Sequence, residues 1–281
     1  MTLRYVVDRN FAAQHMKMRR PEGDIALADG LGYMVEDTPY QNHVASAHET
    51  KEVRILDTWK LLAHLHAYLK QKSSCQNHRA VNQANVNRSN LRATGIGATA
   101  CARHGCFVPH SVVDFYKGEQ YVSIIYLSED DCADVLGFRQ KNIDYSICQA
   151  LSYNSAGIAK ALIIYDVACQ WYVKFPQRVE MYLALEIPQE MDIVPAVGKF
   201  HLSAHKLECF ARFSLMFMQG AGHIDGKILE TLWAPFNKIS ATARSMSMAH
   251  RQEVYDDYMR DSNWKKLVGI GLTSLPVCKC A

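Results

Sequence analysis

Two aspartates in this sequence stand where an unpaired charge is costly. Asp8 closes the apolar, β-prone run Leu-Arg-Tyr-Val-Val of residues 3–7, and Asp166 closes the run Ala-Leu-Ile-Ile-Tyr of residues 161–165. A carboxylate at the end of a buried strand needs a partner, and a divalent cation is one such partner. Two neighbouring strands bearing such acids, completed by a third from a helix, can hold two Mg²⁺ ions roughly 3.5–4 Å apart for in-line phosphoryl displacement. Glu230 supplies the third acid, in the stretch His223-Ile-Asp225-Gly-Lys-Ile-Leu-Glu230-Thr-Leu-Trp233, where Asp225 is placed to cap the following helix. The competing reading is that a strand-terminal Asp caps the next helix and that the Asp-Gly pair is only a turn.

A second set of residues could take a softer metal. Cys101 and His104 form a C-x-x-H pair with Cys106 close by, while His201, His205 and Cys209 recur every four residues. The latter three share one face if residues 202–213 are helical. Cys101, His104, His201 and His205 make a tetrahedral Zn²⁺ set, against the alternatives of core packing or of His205 orienting a substrate phosphate. In the last third, Arg244, His250, Arg251, Arg260, Lys265 and Lys266 surround Trp264. Of these, Arg244, Arg251, Lys265 and Lys266 are the candidates for contact with a DNA backbone. Glu253, Asp256, Asp257 and Asp261 are interleaved with them, so a salt-bridged helix face is the alternative.

These side chains need a scaffold. Strands are expected at residues 3–7, 32–35, 111–115, 121–127 and 161–166, with a glycine-marked turn at 94–97. Helical spacing covers 55–69, 167–186 with a break near Pro176, 203–218, 226–233 and 249–264, while 76–90 reads as loop or surface helix. Strands early and helices late predict an α/β or α+β chain. The 281 residues carry 31 Lys plus Arg against 28 Asp plus Glu, so composition alone announces no nucleic-acid binder and any basic surface must be local. With 49% hydrophobic and 21% charged residues, 15 Gly and 8 Pro, collagen-like, low-complexity and wholly disordered readings are excluded. No apolar run reaches the ~18 residues of a membrane span, and the basic first twenty residues lack a signal-peptide core. An intracellular chain is expected, its nine cysteines mostly thiol or metal-bound. We find no internal repeat and no linker, which predicts one domain over residues 1–281.

Several strings occur in one order: Val7-Asp8-Arg-Asn-Phe11, Asp29-Gly-Leu-Gly-Tyr-Met-Val-Glu-Asp37, Leu91-Arg-Ala-Thr-Gly-Ile-Gly97, Cys101-Ala-Arg-His-Gly105, Tyr165-Asp-Val-Ala-Cys-Gln-Trp171, Lys199-Phe-His-Leu-Ser-Ala-His205, Asp225-Gly-Lys227 and Asn263-Trp-Lys-Lys266. Together they resemble the Kyakuja-Dileera-Zisupton (KDZ) transposases of basidiomycete fungi. The resemblance implies an RNase H-like α/β catalytic core with a mainly helical last third. It also implies Asp-Asp-Glu acids that bind Mg²⁺ or Mn²⁺ and cut or join DNA, with DNA as partner, homo-oligomers and action in the nucleus. Carried over, Asp8 and Asp166 are the first two acids and Glu230 the third.

The sequence departs from that family in places. The family pattern at the third acid reads Asp-Gly-Glu with another Glu three residues on, and Lys227 replaces the first of those glutamates. Arg9 stands where a small residue is usual, and the family's upstream cysteine-rich region is missing. If the acid replaced by Lys227 is the ligand, a cation fills the metal pocket, and a non-catalytic DNA-binding remnant is the alternative function. Residues 53–71 and 122–140 interrupt the resemblance. Both segments begin with Val and end with Gln, as a translated intron with GT and AG ends would. Retained introns or true insertions both account for them.

Overall fold

The computed structural model of the chain describes residues 2–49, 90–116 and 140–274. Its centre is β1 (Thr2–Asn10), in which Tyr5, Val6 and Val7 are buried on successive faces. A strand covered on both sides reads as an unbroken apolar run, which is why residues 5–7 do not alternate with polar ones. On one side β1 pairs antiparallel with β3 (Leu91–Cys101), and β3 in turn carries β2 (His15–Met16) and β4 (Val113–Tyr116), both antiparallel. On the other side β1 runs parallel to β5 (Lys160–Tyr165), followed by a parallel β6 (Asp192–Ala196). The sheet is therefore mixed, in the order β2-β3-β1-β5-β6 with β4 also on β3.

Period-two alternation sorts the strand side chains into two layers. Tyr5, Val7, Ala161, Ile163 and Tyr165 face a cluster that includes Tyr40 and Val44 of α1 (Asp37–Glu49), Ile143, Ile147 and Leu151 of α2 (Lys141–Ser152), and Trp171 and Phe175 of α3 (Ala168–Met181). Val6, Ile96, Ala98, Leu162 and Ile164 face the other cluster. There they meet Leu229, Leu232, Trp233 and Phe236 of α5 (Ile228–Ala243) and Tyr255 and Met259 of α6 (Met248–Ser274). The short α4 (Leu207–Phe213) precedes them in the chain.

Two buried ion pairs lock the layers. Asp144 of α2 accepts Trp171 Nε1 at 2.7 Å and Arg178 Nε and a terminal Arg178 nitrogen at 2.5 and 3.0 Å, so its charge is fully partnered between α2 and α3. Arg251 of α6 reaches Asp114 of β4 bidentately at 2.7 and 2.9 Å, with Tyr255 under its guanidinium. Removing one partner from such a pair strands a charge and costs several kcal/mol.

The structure corrects several expectations. Residues 94–97 are not a turn but the middle of β3. A Cβ on Gly97 would lie 2.9 Å from Ile143 and Phe115, so the glycine admits α2 and β4 against the strand. Residues 32–35 make a single bridge, Met34 to Val112, because the Tyr33 and Met34 amides donate to Asp256 of α6 instead of to a strand. The string from Asp29 to Glu36 is thus a loop tied to α6, with Asp29 also accepting Gln252 Nε2 and Asp37 opening α1. In the same way Asn263 donates to the Phe107 carbonyl and accepts its amide, behaving like a strand residue. Helix α3 continues past Pro176 and α5 past Pro235, since buried Trp171, Phe175 and Arg178 in one and Leu232, Trp233 and Phe236 in the other outweigh one lost backbone bond each. Residues 203–218 are split: a 3₁₀ turn (His201–Ala204) and α4 are separated by extended residues His205 and Lys206. The elements α1, α2 and β6 were not foreseen. The helix expected at 55–69, the stretch 76–89, the strand at 121–127, Cys278 and Cys280 lie outside the described residues, as do 53–71 and 122–139.

Candidate active site

Parallel pairing of β1 with β5 sets Val7 opposite Tyr165. The next residue of each chain segment is an aspartate, so Asp8 and Asp166 leave neighbouring strands whose spacing is about 4.8 Å. By alternation both acids lie on the side of Val6 and Ile164, the face covered by α5. Helix α5 brings Glu230 in its first turn and, one and two turns on, Trp233 and Asn237. Trp233 Nε1 donates to Asp8 Oδ2 at 2.8 Å, the Arg9 amide donates to Asp8 Oδ1 at 2.7 Å, and Asn10 Nδ2 donates to Asn237 Oδ1 at 2.7 Å. These bonds hold α5 over the end of β1 and fix the orientation of the Asp8 carboxylate.

His201 completes the group. Its Nε2 lies 3.0 Å from Glu230 Oε1 and 3.4 Å from Asp166 Oδ1, bridging the two acids. Burial, and then the neighbouring Asp166 carboxylate, push Asp8 up to about 7 against the opposing hydrogen bonds of Arg9 and Trp233. Burial likewise raises Asp166 to about 6, with His201 and Arg9 pulling it down and Glu230 pushing it up. The hydrogen bond to Glu230, with Asp166 behind it, raises His201 above the usual imidazole range against the effect of burial. Two carboxylates thus share one imidazole, with the Asp8 carboxylate beside them. Hard oxygen donors in that state fit Mg²⁺ or Mn²⁺. The acids are spread around His201 rather than closed on one point. Among the described residues the Cys, His and carboxylate group with all its ligand atoms within 4.8 Å of one another is a different one, Cys169, His205 and Cys209.

The two cations that raised doubt make their contacts outside the acid group, although the charge of Arg9 still acts on Asp166. Arg9 follows Asp8 on β1 and so points to the opposite face, where its guanidinium packs on Phe115 and Tyr165 and donates to Gln140 Oε1 at 2.8 Å. Lys227 Nζ sits 4.1 Å from the centre of the Phe200 ring, and Asp166 is influenced by His201, Glu230 and Arg9 rather than by Lys227. Asp225 accepts the Lys227 amide at 2.9 Å and lies two residues ahead of the helix cap, which is Lys227 itself.

The zinc set Cys101, His104, His201 and His205 does not assemble. Cys101 Sγ is 3.4 Å from His104 Nδ1, but Cys101 pairs with Tyr5, three residues along β1 from Asp8 and so about 10 Å from the acids. His201 belongs to the carboxylates, and His205 turns to Cys169, 3.4 Å away. The extended conformation of His205 and Lys206 separates the residues that one continuous helix would have aligned.

Of the basic candidates, Arg251 is only 1% exposed and belongs to the core pair with Asp114, which removes it from any DNA-facing surface. Lys265 is exposed and pairs with Asp261, and Arg260 pairs with Asp257, so this part of α6 is a mixed-charge surface. Trp264, 62% exposed, stands among these residues, while Arg244 and Lys266 are half-buried. Sequence reasoning assigned His201 to another site and missed Trp233 and Asn237. The spacing of Glu230, Trp233 and Asn237 along one helix stripe was the available signal.

No described helix is long and apolar enough to cross a membrane. Compared with known proteins, the chain matches a family model described as KDZ: Kyakuja-Dileera-Zisupton transposase over residues 1–263. No curated protein and no solved structure matches it.

Proposed function

Because the chain belongs to the Kyakuja-Dileera-Zisupton transposase family, we propose that Asp8, Asp166 and Glu230 form a metal-dependent centre that cuts and transfers DNA phosphodiesters. The observation that carries this reading is the emergence of Asp8 and Asp166 from adjacent strands onto one face, with Glu230 brought from α5 through the shared contact to His201. An antiparallel β1-β3-β4 half joined to parallel β5 and β6, with helices on both faces, supports an RNase H-like arrangement.

Asp8, Asp166 and Glu230 would hold Mg²⁺ or Mn²⁺, whose chemistry there is to acidify an attacking hydroxyl and neutralise the leaving oxygen. The chain's own residues prepare that centre. Trp233 and the Arg9 amide orient Asp8 and favour its ionised form, and His201 balances Asp166 and Glu230. Lys265, Lys266 and Arg244 supply positive charge for the DNA backbone on α6 and at the end of α5. Placement of Arg9 on the opposite face and of Lys227 on Phe200 supports catalysis over a non-catalytic DNA-binding remnant. The protein acts in this reading as one domain, in the nucleus of a basidiomycete, on transposon ends and target DNA. Residues 53–71 and 122–140 are read as retained introns.

The test is nicking of a plasmid in Mg²⁺ or Mn²⁺. Cutting that needs the divalent ion and vanishes in Asp166→Asn is expected. Metal-independent cutting, or cutting unchanged by that substitution, would refute the assignment, and salt-sensitive DNA binding without any cutting would establish the remnant instead.

A further inference from the structure

Beside the carboxylates lies a chemically different set of ligands. Cys169 Sγ, an imidazole nitrogen of His205 and Cys209 Sγ all lie within 4.8 Å of one another, with Cys169 Sγ 3.4 Å from His205 Nδ1. We propose that Cys169, His205 and Cys209 bind one thiophilic divalent cation, zinc, which staples α3 to the segment that carries His201.

Around a tetrahedral zinc with Zn–S near 2.3 Å and Zn–N near 2.0–2.1 Å, neighbouring ligand atoms stand about 3.6–3.8 Å apart. The Cys169 to His205 distance is already close to that edge, and the two distances to Cys209 Sγ exceed it by about 1 Å at most, so an ion enters with side-chain adjustments of that order. Two sulfurs and an imidazole select zinc over magnesium, whereas the oxygen donors at Asp8, Asp166 and Glu230 select the reverse. The two sites therefore take different metals. Three protein ligands leave a fourth position for water, and Cys169 and Cys209 themselves line a groove with Gln170, Lys206 and Arg212 through which water reaches them.

An independent observation says why an ion is needed there. Helix α4 is seven residues long and buries none of them, with Leu207 85% and Phe210 40% exposed. A helix that short is marginal in water without tertiary packing. Phe213 at the end of α4 is partly buried against the core, while the start of the helix has no such packing; Cys209 lies in α4 and His205 just before it, so a metal cross-link to Cys169 in the first turn of α3 anchors that end. Cys169 follows Asp166 by three residues and His205 follows His201 by four. The staple thus fixes two of the chain segments that enter the carboxylate centre, those of Asp166 and His201, whether or not that centre cuts DNA.

The full chain, freed of metal by chelation under reducing conditions, is titrated with Co²⁺, and zinc in the untreated protein is measured by elemental analysis. About one equivalent of zinc is expected. So are a cobalt–thiolate charge-transfer band with the intense visible bands of a tetrahedral site, displaced by Zn²⁺. Cys169→Ser and Cys209→Ser should each weaken zinc binding by more than the ~10–100-fold that loss of an outer-shell partner costs, while Cys101→Ser and His201→Ala leave the cobalt spectrum intact. Absence of the thiolate band in the unaltered chain at saturating Co²⁺ overturns the proposal even if a variant fails to fold. Its loss in Cys101→Ser or His201→Ala overturns it as well, as does recovery of Cys169 and Cys209 as a disulfide under reducing conditions.

Discussion

Substituting Asp8 by Asn should stabilise the metal-free protein at neutral and alkaline pH, although Asp8 is the residue on which the proposed chemistry most depends. In the unfolded chain its carboxyl ionises near 3.8, as an ordinary aspartate does, and in the folded protein at about 7. Below the unfolded value both states are protonated and the group costs nothing. As pH rises the unfolded chain loses its proton first, so stability falls until the folded carboxyl also ionises, and then levels off. A shift of about three units corresponds to about 4 kcal/mol, which partial exposure and sharing with Asp166 reduce to about 2–3 kcal/mol. Asn removes that penalty. It can accept only one of the two bonds now donated by the Arg9 amide and Trp233 Nε1, a loss of about 1 kcal/mol. In chelator at pH 8 Asp8→Asn should therefore be about 1–2 kcal/mol more stable than the unaltered chain, and at pH 4 equal to it or about 1 kcal/mol less stable. Urea unfolding across that range reads the difference. Added Mg²⁺ should stabilise the unaltered chain and not the variant. A difference that stays flat with pH, or a variant less stable at pH 8 in chelator, would refute the reasoning.

The basic residues of α6 divide into two kinds with opposite signatures. Arg251→Met should lower stability by about 3–5 kcal/mol by stranding Asp114, with no change in the salt slope of DNA binding for the molecules that remain folded. Lys265→Ala with Lys266→Ala should leave stability within about 0.5 kcal/mol and lower that slope by about 1–2; the reverse pattern would put Arg251 back on the DNA surface. Complementary DNA sequenced across residues 52/72 and 121/141 should lack the codons for 53–71 and 122–140. If the codons are present, the segments are true insertions.

The strand-end positions of the two aspartates were legible because burial leaves a clear record in one dimension. The run Ala161 to Tyr165 is apolar and buried from Ala161 on, which marks the acid after it as standing at a strand end. Glu230 was legible from its place at a helix start. His201 was not, because its role depends on a 3₁₀ turn and an extended pair, His205 and Lys206, breaking the helix that its spacing suggested. Gly95 and Gly97 were misread for a related reason. A glycine marks either a turn or a close approach, and only the arrival of Ile143 and Phe115 at Gly97 tells which. Arg251 sits among other cations in the sequence. Yet Tyr255 and Met259, four and eight residues on, continue its stripe into the core, and Asp114 lies 137 positions away.

Local pattern was enough for β1 and β5, the acids at their ends and the family strings, since each rests on neighbouring residues and on the two- and 3.6-residue periods of strand and helix. Tertiary structure decided which strands are adjacent, which face each acid takes, and which histidine joins which cluster. Cys169, His205 and Cys209 show the difference most plainly. The first is 36 residues from the second, and what brings them within 3.4 Å is the return of the chain through β6 beside β5, a long-range pairing that no local pattern encodes.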